Sequence, residues 1–333
     1  MKKIKIAQIG VNKLSHHREI YETLKNNSDI FDFVGYAFPE NEKEKYPEEC
    51  ANLGDVNELS LDEILNNPKI EAVTIETDEV HLTKYATLAA KHGKHIHMEK
   101  PGGINHDDFV ALANLTKEKN LVFHLGYMYR YNPYISELIE KAKSGALGNI
   151  SSIEAHMSCI HRPENRKWLE SLPGGMLFFL GCHLVDIALQ IKGEPNEIIP
   201  LSISSGADGT RFNDVGVAAL KYDDCLAYVK TSCVEAGGFA KRNVVVSGEK
   251  GTIEIAPLEM FEGDGIYSER TTHTANFNWG DIGKKEKSPV FDRYSNMMRS
   301  FASYVRGEKH NPWSADYEIM LHKAVLKTLG KVD

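Results

Sequence analysis

The stretch His95-Ile96-His97-Met98-Glu99-Lys100-Pro101 decides the fold. It reads as a short strand that ends in an acid and an ammonium, with a proline that cannot donate to a sheet ladder immediately behind them. Upstream, Ala72-Val73-Thr74-Ile75 is a second short β-rich run. Between the two, His81 to His92 reads as a helix: Leu82, Tyr85, Leu88 and Ala89 fall at helical spacing, and Gly93 supplies the C-terminal stop. Strand, helix, strand demands a parallel pair with a right-handed crossover. In open parallel sheets ligands bind beyond the carboxyl ends of the strands, so Thr77 and Lys100 are expected to face one crevice.

Working outward, the first strand is Ile4 to Ile9, followed by a turn from Gly10 and a helix of the Arg18 to Lys25 type. Phe33 to Phe38 is a second strand, and Leu61 to Leu65 a short helix. The segment Asp107 to Lys119 is a helix with Phe109, Val110, Leu112, Ala113 and Leu115 on one broad face, and Leu121 to Leu125 is a fifth strand. Strands alternating with helices over about 125 residues predict a doubly wound, mostly parallel sheet. After Pro133 the pattern changes. Ile135 to Lys143 reads as a helix, and strands are expected at Ile150 to Ser158, Glu197 to Ser204, Val215 to Tyr222, Leu226 to Val234, Lys241 to Ser247 and Gly251 to Ile255. Their close spacing and Gly and Asp turns predict a largely antiparallel sheet. Met260 to Ser288 reads as a long loop, and Phe291 to Arg306 and Ala315 to Leu329 as closing helices.

With 333 residues, 42% of them hydrophobic and 26% charged, the chain suffices for two ordinary cores. The net charge of -8 and the dispersed Lys and Arg exclude a nucleic-acid footprint. No apolar run reaches the roughly 20 residues of a membrane span, and no signal-peptide pattern opens the chain, so a cytoplasmic location is expected. The five cysteines lack any Cys-x-x-Cys pair, which indicates neither a disulfide framework nor a zinc knuckle. The histidines are scattered, and no metal site is expected.

A strand, a tight turn at Gly10 and a helix with free N-terminal amides is what cradling a pyrophosphate requires. A Gly-x-Gly-x-x-Gly pattern laid on this turn puts Asn12 and Ser15 where the second and third glycines belong, with Lys13 and Leu14 between them. Asn tolerates a left-handed backbone, and Ser is small enough for close helix packing. Where the second strand would carry an acid for the ribose hydroxyls, Phe38 stands, placed to pack on an adenine or in the core, with Glu40 two residues on. Five glutamates between Glu40 and Glu49 would repel a 2′-phosphate, so NAD is expected over NADP.

The second constellation is Pro173-Gly174-Gly175 opening a helix from Met176 to Ile187. His183 and Asp186 lie three apart on one helical face, where a carboxylate can fix the tautomer of the imidazole and raise its basicity. Taken with the Gly10 turn, Thr77 and His81, Glu99-Lys100-Pro101 and Tyr129-Arg130-Tyr131-Asn132-Pro133, the chain resembles the Gfo/Idh/MocA family of oxidoreductases over nearly its whole length. Gly248-Glu249-Lys250-Gly251-Thr252-Ile253-Glu254 is similar to a turn of that family's C-terminal sheet.

The resemblance implies an α/β protein of two domains. Residues 1–125 would be an NAD(P)-binding Rossmann domain with a doubly wound parallel sheet. Residues 126–333 would be a substrate-binding α/β domain whose open, mostly antiparallel sheet also forms a homodimer or homotetramer. Lys100 is similar to the lysine that touches nicotinamide and the reacting oxygen, and His183 to the histidine of the acid–base pair, with Asp186 beside it. Gly10, Asn12, Lys13, Leu14, Phe38, Thr77, His81, Glu99 and Arg130 would border the cofactor. Asn132, Trp168 and Phe179 would border the substrate together with Lys100 and His183. Four residues before the histidine the family commonly has an aspartate on the same face, and this chain has Phe179.

The implied activity is NAD-dependent oxidation of a CH–OH group on a sugar, polyol or related carbohydrate, with Lys100 and His183 converging from separate domains onto one cleft. Two alternatives stand beside it. One is a glycosidase or lyase that uses NAD without net redox change, and the other is a non-catalytic relative that binds sugar or nucleotide.

Overall fold

The strand β1 (Ile4–Ile9) is buried along nearly its full length, as a strand with both faces covered must be. In the computed structural model, which describes residues 2–172 and 174–330, it is the centre of the first of two compact units. That unit comprises Met1–Met128 and Tyr294–His322. Its sheet adds β2 (Phe31–Ala37), β3 (Ala72–Ile75), β4 (His95–Met98) and β5 (Phe123–Leu125), in the order β2-β1-β3-β4-β5 with every pair parallel. The helices His17–Asn26, Leu82–Lys91 and His106–Glu118 stand close to where apolar spacing put them. Two further short helices, Glu42–Lys45 and Pro47–Ala51, carry the glutamate-rich stretch. The last strand starts at Phe123 rather than Leu121. Asn120 turns through a positive φ of 53°, and the Leu121 amide bonds back to Thr116 O (2.9 Å), so the end of the preceding helix claims those residues.

Strand order reverses at β1, between β2 on one side and β3 on the other, which makes the carboxyl ends of β1 and β3 the switch point. The chain leaves β1 through Gly10 at φ +85°, where an added Cβ would lie 2.2 Å from Thr77 Cγ2 and 2.8 Å from Thr77 Cα. Only glycine allows both that φ and that approach.

The second unit comprises Tyr129–Arg293 and Lys323–Asp333. Its large sheet is built from β6 (Ile150–Ser158), β7 (Glu197–Pro200), β8 (Val215–Lys221), β9 (Leu226–Ser232), β10 (Asn243–Gly248) and β11 (Gly251–Ile255). Then come β12 (Met260–Glu262), β13 (Gly265–Tyr267), β14 (Glu269–Thr274) and β15 (Lys284–Lys287). The eight-stranded order is β15-β14-β11-β10-β6-β9-β8-β7, with β12 and β13 pairing separately. All pairs are antiparallel except β6 with β9.

Met260 to Ser288 is therefore not a loop. Four strands lie within it, and the two that join the large sheet escape a hydropathy reading because β14 is Glu-Arg-Thr-Thr-His-Thr and β15, the edge strand, is Lys-Lys-Glu-Lys. The closing helices are Ser295–Val305 and Ala315–Lys327, each shorter than its apolar pattern. The expected continuous helix from Met176 to Ile187 also differs: Leu177–Gly181 forms a π-helical turn before the α-helix Cys182–Lys192. The π-helical turn closes with i→i+5 hydrogen bonds in place of i→i+4. Gly181 lies at its end, where an added Cβ would be 2.8 Å from Leu177 Cδ2 and 3.0 Å from Thr231 Cγ2.

Because Gly10 combines a positive φ with no room for a methyl group, Gly10→Ala is expected to destabilise the protein by about 2–4 kcal/mol. Urea unfolding of the full chain measures this; an unchanged midpoint would mean that the turn readily relaxes.

Candidate active site

In the first unit the strand ends bring Lys100, Glu99, Glu76, Glu79 and His16 into one buried charge cluster. Lys100 is 1% exposed, and its Nζ lies 3.3 Å from Glu99 Oε1. Glu99 Oε2 is 3.2 Å from His16 Nδ1. Burial alone would raise the Glu99 carboxyl, but His16 and the Lys100 ammonium outweigh it and hold the group well below the usual carboxylate range. Glu76 and Glu79 flank Thr77 and are both buried. Burial raises Glu76 far above its ordinary value, with repulsion from Glu99 adding to the effect. Burial pushes Glu79 up to about 8 against the opposing pull of Lys100. Burial and mutual repulsion thus favour the neutral forms of Glu76 and Glu79, while the neighbouring positive groups favour the ionised form of Glu99. Sequence reasoning found Lys100 and Glu99. It missed Glu76 and Glu79, for which the available signal was Glu76 directly following the apolar β3, and it read His16, where a helix begins, as solvated or near phosphate rather than ligating.

The nucleotide-loop residues lie where the strand–turn–helix pattern puts them. Asn12 is fully buried, and its backbone is not among the described positive-φ residues, so it does not stand in for glycine by a left-handed conformation. Its Oδ1 accepts from the amides of Leu14 (2.8 Å) and Ser15 (3.2 Å), while its Nδ2 donates to Thr77 O (3.3 Å) and Glu79 Oε2 (3.2 Å). Lys13 and Leu14 are half-buried on the same turn. Phe38 stacks parallel to Tyr36 at 5.8 Å and packs against the cluster of Val11, Tyr21, Tyr36 and Leu53, with Lys43 Nζ 5.3 Å from its centroid. His81 precedes the helix Leu82–Lys91 and lies 3.5 Å from Glu40. Glu40 in turn accepts from Lys84 Nζ (2.7 Å) and Tyr85 Oη (2.6 Å), so the glutamate-rich stretch is partly neutralised.

In the second unit the helix Cys182–Lys192 carries His183 and Asp186, both buried. The Asp186 carboxylate, expected beside His183, is held by the guanidinium fork of Arg130 (Nε to Oδ2 3.0 Å, Nη2 to Oδ1 2.9 Å) and by Gln190 Nε2 (2.9 Å). A bidentate, buried pair of this kind is geometrically exacting. Edge-on to the His183 ring, at 4.9 Å between centroids, stands Tyr129. Its hydroxyl donates to Glu259 Oε1 (2.5 Å), which also accepts from Arg242 Nη1 (2.8 Å), while Arg293 pairs with the other Glu259 oxygen at 2.6 Å. Tyr129 had been noticed only as part of a motif, and Glu259, Arg242 and Arg293 carry no local signal.

Asn132 caps the helix Pro133–Lys143: its Oδ1 accepts from the amides of Tyr134 (3.0 Å) and Ile135 (3.2 Å), and its Nδ2 donates to Ser268 Oγ (2.9 Å) and Leu258 O (3.3 Å). Its polar atoms brace the fold. Trp168 and Phe179 meet edge to face at 6.1 Å, with His161 6.4 Å from Phe179, so the position of the missing aspartate lies in an aromatic cluster. Pro173 lies outside the described residues. Among the described residues no group of His, Cys, Asp and Glu is arranged to hold a metal ion, and no helix is long and apolar enough to cross a membrane.

Comparison with known proteins agrees with this geometry. Residues 4–127 match the family model "Oxidoreductase family, NAD-binding Rossmann fold", and residues 135–254 match "GFO/IDH/MocA C-terminal domain". An uncharacterized oxidoreductase, YhhX of Escherichia coli, is 29% identical over 67% of this chain and 61% of its own length. Levoglucosan dehydrogenase of Pseudarthrobacter phenanthrenivorans is 28% identical over 39% of this chain and 35% of that protein. The matches thus span about three fifths or less of these relatives. Among solved structures, a 3-ketoreductase from Actinomadura kijaniata in complex with NADP and TDP-benzene superposes with a TM-score of 0.81, covering 99% of this chain and 98% of that one at 16% identity. With both its halves matched by family models, the chain belongs to the Gfo/Idh/MocA family of oxidoreductases.

Proposed function

We propose that the protein is an NAD-dependent oxidoreductase acting on the CH–OH group of a sugar, polyol or related carbohydrate. The observation that carries this reading is Lys100: a buried amine at the carboxyl end of β4, in the same unit as the β1/β3 switch point, with its Nζ 3.3 Å from Glu99 Oε1. In its ammonium form such a group donates a hydrogen bond to a substrate oxygen; in its neutral amine form it can take up the hydroxyl proton as the alcohol becomes a carbonyl. His183 is the second proton-handling group in this reading, with Asp186 anchoring its helix through Arg130.

The loop suits a dinucleotide because Gly10 and Thr77 approach so closely that the turn keeps its backbone free of side-chain bulk at the end of β1. Gly10, Lys13, Leu14 and Thr77 would hold the phosphates, and His81 and Glu99 the nicotinamide half. The dinucleotide, when bound, supplies the two-electron redox capacity that protein side chains lack. NAD is favoured over NADP because the glutamate-rich stretch from Glu40 lies just beyond β2. Burial opposes ionisation of Glu40, yet the bonds from Lys84 and Tyr85 prevail and lower its carboxyl; because Lys84 is paired with it, the remaining glutamates of the stretch up to Glu49 carry the repulsion of a 2′-phosphate.

We further propose a homodimer or homotetramer through the second unit's sheet. One face presents Ile199, Leu201, Ile203, Leu226 and Tyr228 to solvent, between 38% and 60% exposed, although strands of this kind ordinarily keep such side chains covered.

Lys100→Met should abolish carbohydrate-dependent NADH formation while the melting temperature stays near that of the wild type, and NAD should support a higher wild-type rate than NADP. Retention of most turnover would remove Lys100 from its role, and product formed without NADH would favour the redox-neutral alternative. Leu201→Glu combined with Tyr228→Lys should yield monomers by sedimentation; a wild type that already sediments as a monomer would refute the interface. Glu79 gives a pH signature. Its folded value of about 8 exceeds the unfolded one, so between roughly pH 4.5 and 8 the unfolded chain releases a proton that the folded protein keeps, and stability falls as pH rises. Glu79→Gln should therefore be more stable than wild type at pH 8 by on the order of 2 kcal/mol, with no such gain at pH 4. Denaturant curves at the two pH values decide it, and parallel pH dependences would show that Glu79 ionises normally.

A further inference from the structure

We infer that Asn12 is a built-in occupant of the pyrophosphate position: its carboxamide oxygen holds two backbone amides of the loop, and a dinucleotide binds only by displacing it. The inference rests on the dinucleotide reading of this loop and concerns how that site is controlled.

A carboxamide can accept two hydrogen bonds and donate two, and Asn12 makes all four. Its oxygen takes the Leu14 and Ser15 amides at 2.8 and 3.2 Å; its nitrogen gives to Thr77 O and Glu79 Oε2 at 3.3 and 3.2 Å. The amides at the start of a helix after a glycine turn are the donors that an anion uses in this kind of site. Here the helix His17–Asn26 begins with no side-chain cap from His16, while the Asn12 oxygen sits on the two amides just before it as a neutral substitute for a phosphate oxygen.

The residue is not there for its backbone, which lacks a positive φ, nor for solubility, since it is fully buried. A second feature points the same way. Glu79, the acceptor that steadies the carboxamide from behind, is buried and has its other oxygen, Oε1, without a hydrogen-bond partner. A buried, incompletely satisfied acid is tolerated where a site reorganises on binding. When Asn12 swings away, Glu79 and Thr77 O lose a donor and the Leu14 and Ser15 amides gain an anion. Apparent affinity is then lowered by the fraction of loops that are open.

The test is calorimetric titration of the full chain with NAD and NADP, on wild type, Asn12→Gly and Asn12→Asp, together with amide hydrogen exchange without nucleotide. Losing the two competing bonds should tighten binding by Asn12→Gly about tenfold. The carboxylate of Asn12→Asp, held by the same amides and repelling phosphate, should weaken binding at least tenfold. In the free wild type the Leu14 and Ser15 amides should exchange slowly, and in Asn12→Gly rapidly. Wild-type binding that Asn12→Gly fails to improve, with its melting temperature preserved, overturns the latch alone. So does fast wild-type exchange at those amides. If Asn12→Gly does not fold, unchanged affinity in Asn12→Asp overturns it equally. No binding of either nucleotide by any of the three proteins removes the dinucleotide reading and the latch with it.

Discussion

The close approach of Gly10 to Thr77 is the constraint on which the first unit depends. It exists because β1 and β3 are hydrogen-bonded neighbours, so that the turns leaving them are forced into contact at 2.2 Å from any added Cβ. From that contact follow the bonds from Asn12 to Thr77 and Glu79. The adjacent β4 brings Glu99 and Lys100 to the same edge of the sheet. Parallel order, rather than any single side chain, assembles these groups.

The electrostatics of that edge obey one rule. A buried site cannot hold several ionised carboxylates around one lysine, and the ionisation states separate accordingly, with Glu99 pushed down and Glu76 and Glu79 pushed up. In the second unit the same economy is achieved by pairing: Asp186 with Arg130, and Glu259 with Arg242, Arg293 and the Tyr129 hydroxyl.

Much of the fold was legible from periodicity, since β1, β6 and β11 fall on the predicted boundaries and the helices deviate by only a few residues. The polar strands β14 and β15 were not legible, because neither carries an apolar run: β15 is the edge of the sheet and β14 the polar strand beside it. In the site, Lys100 and His183 could be singled out because each ends or punctuates an apolar run. The bond from Arg130 to Asp186 could not, because the two are 56 residues apart in sequence. Nor could sequence spacing reveal that the Asn12 side chain holds the Leu14 and Ser15 amides, or that Leu177–Gly181 forms a π-helical turn.

The single parallel pairing of β6 with β9 has an architectural consequence. Strands β7, β8 and β9 alternate in direction, so β7 runs the same way as β6 yet lies three places along the sheet. The chain joining them must span the width of two intervening strands, and Cys182–Lys192 belongs to that bridge. His183 is thus mounted on a girder whose footings are laid before β8 and β9 are threaded beneath it. Lengthening the hairpin between those two strands would leave it undisturbed, whereas trimming the bridge itself would pull the imidazole out of place.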